Sequence, residues 1–311
     1  MTRATSDMVD KAEAPASSPV VSLETGMSSA PDSLYAKSLR HFLRNRFALL
    51  GVAVIVSIIL ISAGAPYLTS SNPVGRDAKN RLLPPSLTNP MGTDELGRDV
   101  LTRVLYGGQI SLQVGFFSIA LSTIIGVPLG LVAGYMGGAT DNIIMRLMDL
   151  ILAFPGLILI IWLVGLLGSN VSNVIFAIAL FSLPTYARLT RGVTLSIQNT
   201  EYVLAARSMG ASPLRIMVFH ILPNIIGSLI VVSTLGVSGA IITGASLSFL
   251  GLGVRPPTPE WGAMLSDGRS YLRNAWWISF FPGMVITIIV LALNIVGDAV
   301  RDAADPNVVS K

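Results

Sequence analysis

The sequence predicts an all-α membrane protein of six transmembrane helices, with both chain ends on the cytoplasmic side. Three observations predict it. Hydrophobic residues make up 52% of the chain and charged residues only 12%, about half the charge fraction of globular chains. The apolar residues are gathered into six windows that approach the roughly 20 residues a helix needs to cross a bilayer core. The arginines cluster beside these windows and in the loops, as membrane orientation requires. A backbone isolated in lipid must satisfy its own hydrogen bonds, which favours helices. The windows are continuous runs without the period-two alternation of a β-barrel.

Taken in order, residues 1–33 are rich in Ser, Ala, Pro and acids and cannot bury enough apolar surface to offset chain entropy. Residues 1–36 are therefore expected to be a disordered cytoplasmic tail. It carries no short apolar core of the signal-peptide kind. Residues 37–66 are expected to form an amphipathic lead-in and the first transmembrane helix, in the window 47–66. Lys37, Arg40, Arg44 and Arg46 precede this window and no cation follows it through residue 75, so the amino terminus is placed inside. Residues 67–110 form an extracytoplasmic segment.

Residues 111–303 hold the other five windows, at 111–135, 146–167, 171–187, 224–249 and 278–300. Only Gly168 to Asn170 join the third and fourth, which requires an antiparallel hairpin. Gly126, Gly130 and Gly134 recur every four residues and give one helix a bare face for close approach. Pro128, Pro155, Pro184 and Pro282 interrupt or kink their helices, as helices lining a path that opens and closes would. The loop 188–223 falls inside, where Arg188, Arg191, Arg207 and Arg215 face one acid, Glu201. Six crossings return residues 304–311 to the cytoplasm as a short tail. The outer segments also hold cations, balanced by Asp77, Asp94, Glu95, Asp99, Glu260 and Asp267.

Several function classes drop out. The chain has no cysteine, so disulfides and thiolate metal sites are excluded. His41 and His220 are too far apart in sequence to suggest a ligand set, and no metal or other cofactor is expected. No Gly-Lys pair occurs, so there is no phosphate-cradling loop of the Gly-x-x-x-x-Gly-Lys type. No Ser/His/Asp arrangement or carboxylate pair suggests an enzyme. The net charge of +4 is accounted for by membrane orientation without nucleic acid. An ion-coupled secondary transporter would place charges at mid-membrane. The span acids Asp149 and Asp298 instead lie near cytoplasmic ends, three residues from Arg146 and Arg301, as structural pairs would.

The segment from Glu201 to Asn224 reads EYVLAARSMGASPLRIMVFHILPN. Thr200 suits an N-cap, Glu201 the first turn and Arg207 the last. Gly210 suits a left-handed helix end. Ser212 and Pro213 then start a second helix, which runs to Pro223. Tyr202, Ala205, Ala206 and Met209 are expected to share one face. The spacing resembles the coupling loop of ABC importer permeases: paired alanines (Ala205, Ala206), a Gly four residues on (Gly210), and Leu222-Pro223 a dozen later. The family places Glu immediately before the alanines and Ile two residues before Leu-Pro, where this chain has Leu204 and His220.

Residues 91–112 read MGTDELGRDVLTRVLYGGQISL, and residues 245–264 read ASLSFLGLGVRPPTPEWGAM. Both are similar to the second permease subunit of peptide-class ABC importers, which serve dipeptides, oligopeptides, glutathione or nickel. The resemblance implies the type I importer permease fold in a bacterial or archaeal inner membrane. It implies a homologous permease, two ATPase subunits that bind ATP and Mg, and an extracytoplasmic binding protein as partners. The ATPases would meet Glu201, Tyr202, Ala205, Ala206, Arg207, Ser208, Met209, Gly210, Ala211, Ser212, Pro213, Leu222 and Pro223. Gly92, Thr93, Asp94, Gly97, Arg98, Asp99, Arg103, Pro256, Pro257, Glu260 and Trp261 would form an outer gate or docking surface. Asp99 and Arg103 are spaced to pair on a helix. Trp261, Trp276 and Trp277 suit an interfacial belt. Substrate contacts are expected from Ser228, Ser233, Thr234, Ser238, Thr243 and Asn294, which otherwise make interhelical hydrogen bonds.

Overall fold

The computed structural model describes residues 42–304, so the expected tails at 1–36 and 304–311 lie almost wholly outside the described residues. Its elements are helical: α1 (Arg46–Ala63), α2 (Ala65–Leu68), α3 (Val100–Met136), α4 (Gly138–Leu152), α5 (Gly156–Leu167), α6 (Val171–Ile197), α7 (Glu201–Ser208), α8 (Pro213–Ile216), α9 (Leu222–Phe249), α10 (Trp261–Gly268) and α11 (Trp277–Ala304). Five of the described helices are long and apolar enough to cross a membrane, or six spans if the bent pair α4–α5 counts as one.

Asn45 caps α1 by accepting from the Phe47 and Ala48 amides. The chain then runs as a folded loop to Asp99, whose side chain accepts from the Thr102 amide at 2.8 Å and starts α3. This cap moves the helix start to residue 100, eleven residues before the apolar window. The charge-rich motif is a helix start as well as a loop. At 1.5 Å per residue, α3 is about 55 Å long, more than a bilayer core requires.

The window 146–167 is not one straight span. Pro155 lacks an amide proton and disfavours helical backbone at Phe154, and α4 meets α5 at 88°. Helix α5, at about 18 Å, pairs with α6 through the Gly168–Asn170 turn. Helix α6 continues ten residues past the expected stop at 187, because its arginines have partners on α4. Arg191 donates both Nε (2.5 Å) and Nη2 (2.6 Å) to the Asp141 carboxylate, and Arg188 reaches Asp149 at 2.6 Å. Asp149 therefore pairs with Arg188 and not with Arg146, and no Asp298–Arg301 ion pair forms among the described residues.

The α3–α6 contact centres the molecule. A Cβ at Gly126 would meet Tyr186 Cβ at 2.8 Å, and one at Gly134 would meet Thr194 Cβ at 2.7 Å. The bare face read from the sequence is thus where α6 lies. The largest apolar core joins α3, α5, α6, α7, α8 and α9. A smaller cluster closes the other end, built on Val100, Val104, Met264, Ala275, Trp277 and Ile278. Helix α1 lies outside against α11 and α3. Large apolar side chains such as Phe47, Ile124 and Leu166 point outward, which a lipid surround solvates.

Candidate coupling loop and translocation groove

The loop is built from its backbone upward. Thr200 occupies the N-cap position of α7 without capping it. Its hydroxyl instead donates back to the Ile197 carbonyl at 2.7 Å. The far end closes as expected: the Ala211 amide bonds the Ala206 carbonyl and the Gly210 amide the Arg207 carbonyl, a Schellman pair. Gly210 holds φ +81, a left-handed backbone that a β-carbon opposes. Ser212 Oγ then accepts from the Arg215 amide at 3.4 Å, and Pro213 opens α8.

Tyr202, Ala205, Ala206 and Met209 do not share one face. Ala206 is 3% exposed and lies with Val203 in the main core, whereas Met209 is 82% exposed. The paired alanines thus divide the work. Ala206 lets α7 sit close on the bundle, and Ala205 keeps the outward surface shallow. Exposed Tyr202, Leu204, Met209, Leu214 and Phe219 give that surface its apolar area, and Arg207 lies over the Tyr135 ring at 5.4 Å. Glu201, Ser208, Ser212 and Pro213 are exposed as well, and Ala211, Leu222 and Pro223 are half-buried.

Between α8 and α9 the chain makes a π-helical stretch, Met217–Ile221. His220 lies in it with a buried Nδ1 that has no partner among the described residues. The sequence offered no signal for this π stretch. Its consequence is a direct helical run from the loop into the α9 span.

At the other end, the residues expected to gate or dock are mostly interior. Asp94, 2% exposed, accepts from the Arg98 amide (2.9 Å) and Nε (2.6 Å) and faces Arg103 Nε at 3.4 Å. Arg103 therefore pairs with Asp94, not with Asp99, whose carboxylate is occupied as the α3 cap. Thr93 accepts from the Leu83 amide at 2.8 Å and donates to the Asn80 carbonyl at 2.6 Å. Gly92 and Gly97 take positive φ in the turns around it. Glu260 caps α10 through the Ala263 amide (2.8 Å) and accepts from Ser111 (3.0 Å). Of the eleven expected residues, only Pro256 and Pro257 are exposed. The belt expectation fails for two tryptophans: Trp261 and Trp277 are buried and donate to the Val104 and Thr93 carbonyls. Trp276 is exposed. Burial pushes the Glu95 carboxyl above the ordinary glutamate range, and neighbouring Asp94 adds to the rise. Burial likewise raises Asp267.

A groove of 970 Å³ runs between α1, α3, α9 and α11. Its walls are apolar, with Gln109, Gln113, Thr123, Ser233 and Thr234 among the polar exceptions and no charged residue among the described ones. Of the expected substrate contacts, Ser233 and Thr234 line it. Ser238 instead donates to Asn294 Oδ1 at 2.9 Å, joining α9 to α11, and Thr243 bonds its own helix at Gly239.

Comparison with known proteins fits this architecture. Residues 126–310 match the family model for the binding-protein-dependent transport system inner membrane component. Residues 33–85 match the N-terminal TM domain of oligopeptide transport permease C. The dipeptide transport system permease protein DppC of Alkalihalophilus pseudofirmus is 43% identical over 278 residues, covering 89% of this chain and 91% of the relative. DppC of Haemophilus influenzae is 43% identical, covering 91% and 98%. The glutathione transport system permease protein GsiD of Pectobacterium atrosepticum is 44% identical, covering 87% and 90%. Inward-facing crystal forms of the MetNI methionine ABC transporter share the fold at TM-score 0.54 and 20% identity, covering 66% of this chain and 96% of that one. This chain belongs to the binding-protein-dependent transport system inner membrane components: it is a multi-pass permease subunit of an ABC importer.

Proposed function

We propose that this subunit carries di- or oligopeptides inward, with glutathione as the alternative cargo of the same class. Relatives named for dipeptide or glutathione transport match nearly the whole chain. A neutral groove with amides and hydroxyls set in apolar walls suits peptide backbone. A homologous permease covers the groove, two ATPases dock beneath, and a binding protein delivers cargo from outside.

The observation that carries the mechanism is the seating of α7. Its buried face, Val203 and Ala206, joins the core shared by α3, α6 and α9, while its other face is exposed and apolar. A push on Tyr202, Met209 or Leu214 is delivered into the bundle through the Schellman turn and the π stretch into α9. On this reading the loop 200–223 is cytoplasmic, and so are both chain ends.

Replacing Gly210 with valine tests the transmission. A β-carbon at this position would meet no other atom within 4 Å, so the substitution strains only the backbone, by about 1–2 kcal/mol. Membrane insertion is expected to persist while peptide uptake per ATP hydrolysed falls several-fold in the reconstituted transporter. Unchanged uptake per ATP would remove the loop from the coupling path.

A further inference from the structure

Tyr186 lies in α6 with 1% of its surface exposed. Its hydroxyl lies between α3 and α9, beside Gly236 and Ile119 and within reach of Ser233 and Thr123, yet it closes no well-formed hydrogen bond among the described residues. Room for that oxygen depends on Gly236, where a β-carbon would stand 2.7 Å from it. The Thr123 hydroxyl is already committed to the Ile119 carbonyl at 2.8 Å. Ser233 and Thr123 both line the groove, so the tyrosine oxygen sits one layer beneath its floor. A buried hydroxyl without a partner is destabilising, and phenylalanine would fill the same space without that penalty. Packing therefore does not account for tyrosine here.

We propose that Tyr186 and Ser233 form a hydrogen-bonding station in the groove floor that takes a neutral polar group of the passing solute, the carbonyl or amide of a peptide backbone. The ligand class rests on the peptide reading above; the station itself rests on the geometry. Without solute the tyrosine hydroxyl stays unpartnered among the described residues; with solute in the groove, Ser233 turns so that its Oγ accepts from Tyr186 while its hydroxyl donates onward to the solute carbonyl. The groove offers no charged side chain among the described residues, so it cannot hold a solute by its charged ends. Every peptide bond presents the same carbonyl, so the contact is indifferent to side-chain identity. Its strength, one net hydrogen bond, is small enough to release the solute onward.

The test uses the complete transporter in liposomes, with labelled dialanine as cargo. Wild type, Tyr186→Phe, Ser233→Ala and the double variant are compared for uptake, binding-protein-stimulated ATP hydrolysis and melting temperature. Tyr186→Phe is expected to melt at or above the wild-type temperature, to keep its stimulated hydrolysis, and to lose uptake by about fivefold, the factor for one net hydrogen bond. Ser233→Ala is expected to lose as much, and the double variant no more than either. Unchanged uptake in Tyr186→Phe, losses that multiply, or a fall in melting temperature that accounts for the lost uptake would each overturn the station. If the wild type moves no dialanine, the peptide reading falls and the assigned ligand with it. Wild-type uptake with an unaffected Tyr186→Phe sinks the station alone.

Discussion

Asp94 anchors the segment before α3 through Arg98 and Arg103, whereas Glu95 beside it sits at a cost. One of its oxygens, Oε2, is buried without a partner among the described residues, and burial, with Asp94 adding to it, holds its carboxyl above the ordinary range. A group whose pKa is raised on folding binds its proton more tightly in the folded state. Its contribution to stability is full below the unfolded pKa and is lost as pH rises through the folded value. Glu95→Gln, which stays neutral, is therefore expected to raise the melting temperature at pH 7, with the gain shrinking as pH falls through the raised folded value and gone once pH is below the ordinary glutamate range. A gain that grows on acidification would reverse the assignment. At this scale the sequence was a partial guide. The charges of the Gly-Thr-Asp motif were visible, but their pairing was not. A spacing of four suggested Asp99 with Arg103, and only the fold shows that Asp99 is spent on the α3 amides. Tyr186 gave no signal, since an aromatic in an apolar run reads as packing until its hydroxyl is found without a partner.

Among elements, the bare face of α3 was the most legible, because glycines every four residues leave few other physical explanations; that α6 fills it was not legible. A β-carbon at Gly130 would press on Thr190 Cβ at 2.7 Å and Arg191 N at 3.0 Å, whereas Gly239 in α9 has open space. Gly130→Val is expected to cost about 3 kcal/mol or more and to lower membrane yield and melting temperature sharply. Gly239→Val is expected to change both little. Equal sensitivity at the two positions would mean the helix contact is misassigned. Hydropathy alone hid the element boundaries. Windows of apolar residues do not register Asp99 capping α3, Asp141 extending α6 through Arg191, or the 88° break that Pro155 imposes on the third span. In the loop, Gly210, Ser212 and Pro213 fixed the turn, since each has a backbone role that survives any packing. The face of α7 was misread because Ala206 fits solvent and core equally well by composition.

Across the whole molecule, the loop core, the α3–α6 contact and the groove form one connected body. Helix α9 links them: it leaves the loop through the π stretch, lines the groove at Ser233 and Thr234, and joins α11 through Ser238 and Asn294. On the proposed reading, movement at the loop changes the groove without an intermediate domain. Fold class follows from the apolar windows, and it was readable because lipid imposes it residue by residue. On the proposed reading a second permease covers the groove, and this sequence holds nothing of that surface. The central claim is that ATPase force enters through the exposed face of α7. The chain has no cysteine, and Met209 is 82% exposed on that face, so Met209→Cys provides one unambiguous probe. In the assembled transporter it is expected to crosslink to the ATPase subunit and to react only with reagents supplied from the cytoplasmic side. Labelling from the outer side, with no ATPase adduct, would contradict the account.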